Sequence, residues 1–303
     1  MTADLEGAVA ALAADRESGA STLLARAVVV LQQARAAGGG ALERLAPRVA
    51  RTQPAMAPMW LAAGLALADA QDAGDRLDRF VRQAGRALEA VARLAADLVE
   101  AERPGGAEME RRVVTCSFSQ SVLGACRTLA ARRPLVVACA EGRPALEGRR
   151  LAAALAGSGI AAVCYADAAV GVALGGSLAL LVGADAVTPD WFVNKVGTGA
   201  LAALAVRAGI PVYVLAARDK FLPAGLAPLL TLRGGAAEEI WAGPPAGVEV
   251  RNPYFEPVPL DLVSALVTDS GVVEAGLAGA ICEANGRWMG RGLELLRSSV
   301  EAG

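Results

Sequence analysis

Arg112-Val113-Val114-Thr115-Cys116-Ser117-Phe118-Ser119-Gln120-Ser121 sets how the rest of the chain is read. A β-branched run breaks into a hydroxyl-rich turn, and an Ala- and Leu-rich stretch follows over residues 120–131. This is a strand passing through a turn into a helix. The same order recurs downstream. Strands are expected at 112–116, 135–140, 161–166, 179–182 and 212–215, with helical stretches at 148–156, 168–174 and 194–208 between them. The strands are apolar throughout rather than alternating, which predicts a parallel, doubly wound sheet covered on both faces. In such a sheet ligands bind beyond the carboxyl ends of the strands.

Upstream the pattern changes. Apolar residues recur at helical spacing over residues 8–13, 23–37 and 42–50, punctuated by Gly38-Gly39-Gly40 and by the prolines of 54–58. The longest helix is expected over 73–102, where Leu77, Phe80, Val81, Ala84, Leu88, Val91 and Leu94 are spaced by three and four. Arg103-Pro104-Gly105-Gly106 should end it, dividing the chain into a helical domain, 1–105, and an α/β domain, 106–303. A Pro-rich loop at 251–259 precedes a region, 262–284, that should rejoin the second domain.

Composition narrows the chemistry. Apolar residues make up 54% of the 303, yet aromatics only 4%, so the positive mean hydropathy reflects Ala and Val. The longest apolar stretch, 159–187, is interrupted by Asp167, Asp185 and glycines; it reads as two buried strands rather than a membrane span. No signal peptide is visible, and the five cysteines have no metal-type spacing, so a reduced cytoplasmic setting is expected. A net charge of −2 gives no global basic surface for direct nucleic-acid binding. There is no histidine, which excludes Ser-His-Asp and Cys-His catalysis and His-ligated metals. Neither metal nor cofactor is expected.

Polar clusters fall at successive strand ends. Ser119 or Ser121 is placed to cap a helix and present its N–H groups to an anion; an ordinary cap is the simpler reading. Arg143-Pro144, followed by Glu147-Gly148-Arg149-Arg150, offers a guanidinium to a phosphate or merely a solvated turn. Asp185 follows an apolar strand directly, as a crevice residue or a turn former. Asn194-Lys195-Val196-Gly197-Thr198 opens the next helical stretch with an amide and an ammonium. In the helical half, Ser18-Gly19-Ala20-Ser21 provides hydroxyls at a helix start. Each cluster alone is weak, but four at successive strand ends of one sheet are not.

The order of these motifs resembles the family that unites the alpha, beta and delta subunits of initiation factor 2B with methylthioribose-1-phosphate isomerase and ribose-1,5-bisphosphate isomerase. The resemblance rests on Thr115 to Ser119, Arg143-Pro144 with Gly148-Arg149, Tyr165-Ala166-Asp167, Gly183-Ala184-Asp185, Asn194-Lys195-Val196-Gly197-Thr198, residues 209–214 and Asn252-Pro253-Tyr254-Phe255-Glu256. It implies an N-terminal all-helical domain, a Rossmann-like parallel-sheet domain, and a homodimer or higher even oligomer. For the isomerases it implies proton transfer between C1 and C2 of an opened sugar phosphate by a Cys at the first turn and the Asp of Gly-Ala-Asp.

Asp185 matches that Asp, but Ser117 stands at the position of the family Cys. A hydroxyl is a far weaker acid than a thiol. Cys116 is adjacent, and strand alternation sends it to the opposite face unless the turn has already begun. The isomerases' Arg-Gly-Ala becomes Ser18-Gly19-Ala20, with Arg16 two residues away as a substitute. The first expectation is therefore binding of a phosphorylated sugar or nucleotide with weak or no catalysis. Ser18, Gly19, Ser21, Ser119, Arg143, Asn194 and Lys195 would be the ligand contacts. The alternatives are an active aldose–ketose isomerase using Asp185 with Cys116, and a structural subunit with a vestigial crevice.

Overall fold

A computed structural model describes residues 2–15, 18–68, 73–101 and 110–301. Five helices come first: α1 (Thr2–Ala14), α2 (Ala20–Ala37), α3 (Ala41–Thr52), α4 (Ala57–Leu67) and α5 (Ala73–Ala101). The α/β region then runs β1 (Arg112–Thr115), α6 (Gln120–Arg132), β2 (Val136–Ala140), α7 (Glu147–Ala156), β3 (Ala161–Tyr165), β4 (Ala179–Gly183), β5 (Ala186–Val187), β6 (Trp191–Lys195), α8 (Thr198–Arg207) and β7 (Val212–Leu215). It closes with β8 (Phe255–Pro259), β9 (Ala265–Thr268), β10 (Gly271–Val273), α9 (Ala278–Met289) and α10 (Arg291–Glu301).

The larger sheet has the order β10-β9-β7-β4-β1-β2-β3. All its pairs are parallel except the β9/β10 hairpin. This is the Rossmann-like arrangement expected, and its strand order reverses between β1 and β4, the topological switch point. One face is covered by α5, α6 and α7, through Val91, Val122 and Leu151 against Val113 and Val137. The other is covered by α8 and α9, through Leu201 and Cys282 among Val114, Val182 and Val214. A second, antiparallel sheet, β5-β6-β8, lies beside the strand ends.

The helical half has its own core around Trp60, whose indole donates to the Pro54 carbonyl at 3.1 Å. Helices α9 and α10 return to this core through Met289 and Leu296. Each fully buried large side chain of this kind contributes about 1.5–3 kcal/mol.

Three expectations need correction. Residues 54–58 do not merely punctuate: they lead into α4, every residue of which is buried. Uniform apolarity leaves a helix without the periodicity that reveals it. The stretch 161–166 is not a buried strand, because β3 is the outer strand of the sheet and Val163 is 43% exposed. The helix expected from 194 begins at Thr198, and Asn194 and Lys195 instead end β6. The boundary expected at 105/106, and Arg16, lie outside the described residues. Among the described residues no helix is long and apolar enough to cross a membrane.

Candidate functional site

The switch point between β1 and β4 is where the chain gathers polar side chains. Beyond β1, Ser117 takes a left-handed backbone conformation with φ of 65°, uncommon for a residue with a side chain. Ser119 then caps α6, its Oγ accepting from Val122 N at 3.4 Å. The cap sits against the end of β4. A β-carbon on Gly183 would lie 2.7 Å from Ser119 Oγ, so glycine is what lets the two strand ends meet.

Cys116 continues the alternation of β1 and shares the face of Val114. That face, rather than the opposite one, meets the end of β6. Asn194 Nδ2 donates to Thr198 Oγ1 at 3.0 Å, and the Thr198 hydroxyl donates to Lys195 O at 2.6 Å. Cys116 Sγ lies 3.3 Å from Thr198 Oγ1 and 4.0 Å from Asn194 Nδ2. Burial pushes the Cys116 thiol up to about 11; the Thr198 hydrogen bond and Lys195 pull it back, while Glu256 and Asp167 add to the rise. Cys116 is thus inside the polar cluster, held as a neutral thiol.

Lys195 is buried. Its Nζ is 2.9 Å from Glu147 Oε1 and 4.8 Å from the centre of the Tyr254 ring. Glu147 reaches it because α7 starts hard against the end of β2, where a β-carbon on Gly148 would fall 1.6 Å from the Ala140 carbonyl oxygen. The second oxygen of Glu147 is buried with no hydrogen-bond partner.

Asp185 is fixed through its backbone. Its N–H donates to Val193 O at 2.8 Å and its carbonyl accepts from Ala57 N at 2.9 Å, at the start of α4. Burial raises the pKa of its carboxyl; Lys220 opposes the shift and Glu147 adds to it. Arg143 is exposed, with Nη2 donating to Glu239 O at 3.3 Å. Its backbone N–H and that of Gly142 donate to the two oxygens of Asp167, at 2.8 and 2.7 Å. The Glu239 carboxylate in turn accepts from Asn252 and from the Tyr254 hydroxyl. Arg143 and Lys195 are therefore linked through Glu239, Tyr254 and Glu147, whereas the Asp185 carboxyl is tied to this group only by the charge of Glu147.

The helical-half residues stand apart from it. Gly19 is the N-cap of α2 with no side-chain cap, Ser18 N–H donates to Asp15 Oδ1 at 2.8 Å, and Ser21 is exposed in the first turn. Among the described residues no hydrogen bond or ion pair joins Ser18, Gly19 or Ser21 to the strand-end network. Also among them, no group of three or more Cys, Asp or Glu side chains is arranged to hold a metal ion.

Glu147, Thr198, Tyr254, Glu256 and Lys220 carry no assigned role in the sequence reading, though all but Lys220 lie in its motifs. Lys220 sits in a short turn after β7, and position beyond a strand end is the signal that would have found it.

A doubly wound α/β protein with a buried polar crevice at its switch point is the class these features define. A sequence model of the Initiation factor 2 subunit family matches residues 55–275, and the chain belongs to that family. The putative translation initiation factor eIF-2B subunit 2-like protein of Pyrococcus horikoshii is 31% identical over 77% of this chain and 81% of its own length. The probable bifunctional methylthioribose-1-phosphate isomerase/methylthioribulose-1-phosphate dehydratase of Nocardia farcinica is 35% identical over 78% of this chain, which spans only 43% of that relative. The crystal structure of the Pyrococcus horikoshii translation initiation factor eIF-2B superposes with a TM-score of 0.74, at 26% identity, over 89% of this chain and 97% of that one.

Proposed function

We propose that the chain binds a phosphorylated sugar or nucleotide in the strand-end crevice, with little or no turnover. The observation that carries this reading is the buried network of Cys116, Asn194, Thr198, Lys195 and Glu147 at the switch point, next to an Asp185 carboxyl that burial holds towards its neutral form. Buried polar groups are costly unless paired, so such a concentration at the ligand end of a parallel sheet marks a binding site. Arg143 at the rim supplies the guanidinium for a phosphate, and Asp185 holds sugar hydroxyls. Weak turnover follows from Ser117 at the family Cys position and from Cys116, whose thiol is pushed up to about 11 and is engaged with Thr198. Assembly as a homodimer or higher even oligomer is part of the same proposal.

The second reading, an aldose–ketose isomerase on a pentose phosphate, draws on Asp185, which its surroundings favour as a proton carrier, and on relatives named as isomerases. Incubation with methylthioribose-1-phosphate and with ribose-1,5-bisphosphate, followed by phosphorus NMR, separates the two. Binding by thermal shift without new resonances is the expected result. Turnover abolished by Asp185→Asn would establish the isomerase instead, and absence of both binding and turnover would leave only a structural subunit.

A further inference from the structure

Lys195 is the cation that the strand-end pattern offers to a phosphate, yet its charge is already matched. Its Nζ is 2.9 Å from Glu147 Oε1, the Tyr254 ring covers it at 4.8 Å, and its side chain is only 3% exposed. Glu147 Oε2, also buried, has no donor. The other nearby cation, Lys220, acts on the carboxyls of Asp185 and Asp219. Asp167 is held by the N–H groups of Gly142 and Arg143, and Glu256 Oε1 by Gly199 N at 2.8 Å.

The floor of the crevice therefore presents a neutralised lysine and a spare carboxylate acceptor. A phosphate placed there would set anion against anion and acceptor against acceptor. A sugar hydroxyl would supply the one thing that oxygen lacks, a proton to accept. At the rim, Arg143 is exposed, and among the described residues its guanidinium donates only to the Glu239 carbonyl. It retains donors for one phosphate.

Building on the sugar-phosphate reading above, we propose that the Lys195–Glu147 pair selects a sugar monophosphate and discriminates against a bisphosphate. The phosphate lies at Arg143, and a free hydroxyl donates to Glu147 Oε2.

Calorimetry on the full chain with ribose 1-phosphate, ribose 5-phosphate and ribose 1,5-bisphosphate tests this. The expected result is one monophosphate binding at least about tenfold more tightly than the bisphosphate. Glu147→Gln keeps the shape but frees the charge of Lys195, and the preference should shrink or reverse. Equal or tighter binding of the bisphosphate by the unmodified chain would overturn the inference while leaving the sugar-phosphate reading standing. Binding of none of the three would overturn both. An unchanged ratio in a Glu147→Gln variant that folds by circular dichroism would remove the pair as the cause. Should that variant not fold, the ratio in the unmodified chain decides alone.

Discussion

Helix α4 and the strand-end crevice are both deeply buried, and they are built on opposite principles. Every residue of Ala57–Leu67 is apolar and buried, packed so closely that its glycine, Gly64, touches Met289 and Gly292 of the C-terminal helices. The crevice at β1, β4 and β6 buries Asn194, Lys195 and Thr198, and leaves Glu147 Oε2 without a partner. Apolar burial stabilises in proportion to area, whereas polar burial costs stability and persists where something else requires it. The two regions meet at one hydrogen bond, Ala57 N to Asp185 O, so the rigid helix braces the residue that faces the crevice.

The sharpest way to break this contrast is to overfill the close-packed side. A β-carbon on Gly292 would lie 2.0 Å from the Gly64 carbonyl oxygen and 2.8 Å from Ala68 N, backbone atoms that cannot rotate away. Gly292→Ala should cost about 4 kcal/mol, read as a lowered urea midpoint. A neutral outcome would mean that α4 and α10 are loosely joined.

On the polar side, Lys195→Met leaves the Glu147 carboxylate buried and unpaired. It should cost about 3 kcal/mol. Adding Glu147→Leu should restore most of that loss while abolishing ligand binding, since an apolar pair can replace a buried ion pair without loss of stability. A double variant as unstable as the single one would make the pair structural. Ser119→Ala should have a smaller effect, about 1 kcal/mol, because its cap hydrogen bond is long at 3.4 Å.

The same contrast explains what the sequence could disclose. The parallel strands were legible because β-branched runs such as Val113-Val114 and Val136-Val137 alternate with Ala- and Leu-rich helices, and their ends pointed to the crevice. Helix α4 was not, because a segment buried on all sides has no polar face to mark its period. Strand alternation turns Cys116 away from the face of Ser117, and only the position of β6 shows that the polar cluster lies on the Cys116 side. The Lys195–Glu147 pair joins residues 48 apart in the chain, through a contact that Gly148 alone makes possible. Nothing local in either segment announces it.

The smallest expected effect concerns Asp185, and it carries a sign. Burial, aided by the charge of Glu147 and opposed by Lys220, raises its pKa above that of an unfolded carboxyl. Between those two values the folded chain holds more protons than the unfolded one, so stability falls as pH rises through that window. Asp185→Asn keeps the size of the side chain and removes the ionisation. The variant should melt slightly above the unmodified chain at neutral pH, and the gap should close near about pH 4, where the unfolded carboxyl is itself half protonated. Thermal melts across that range read it directly. A gap independent of pH would show that Asp185 is solvated, and the crevice would then hold no residue poised to exchange a proton with a ligand.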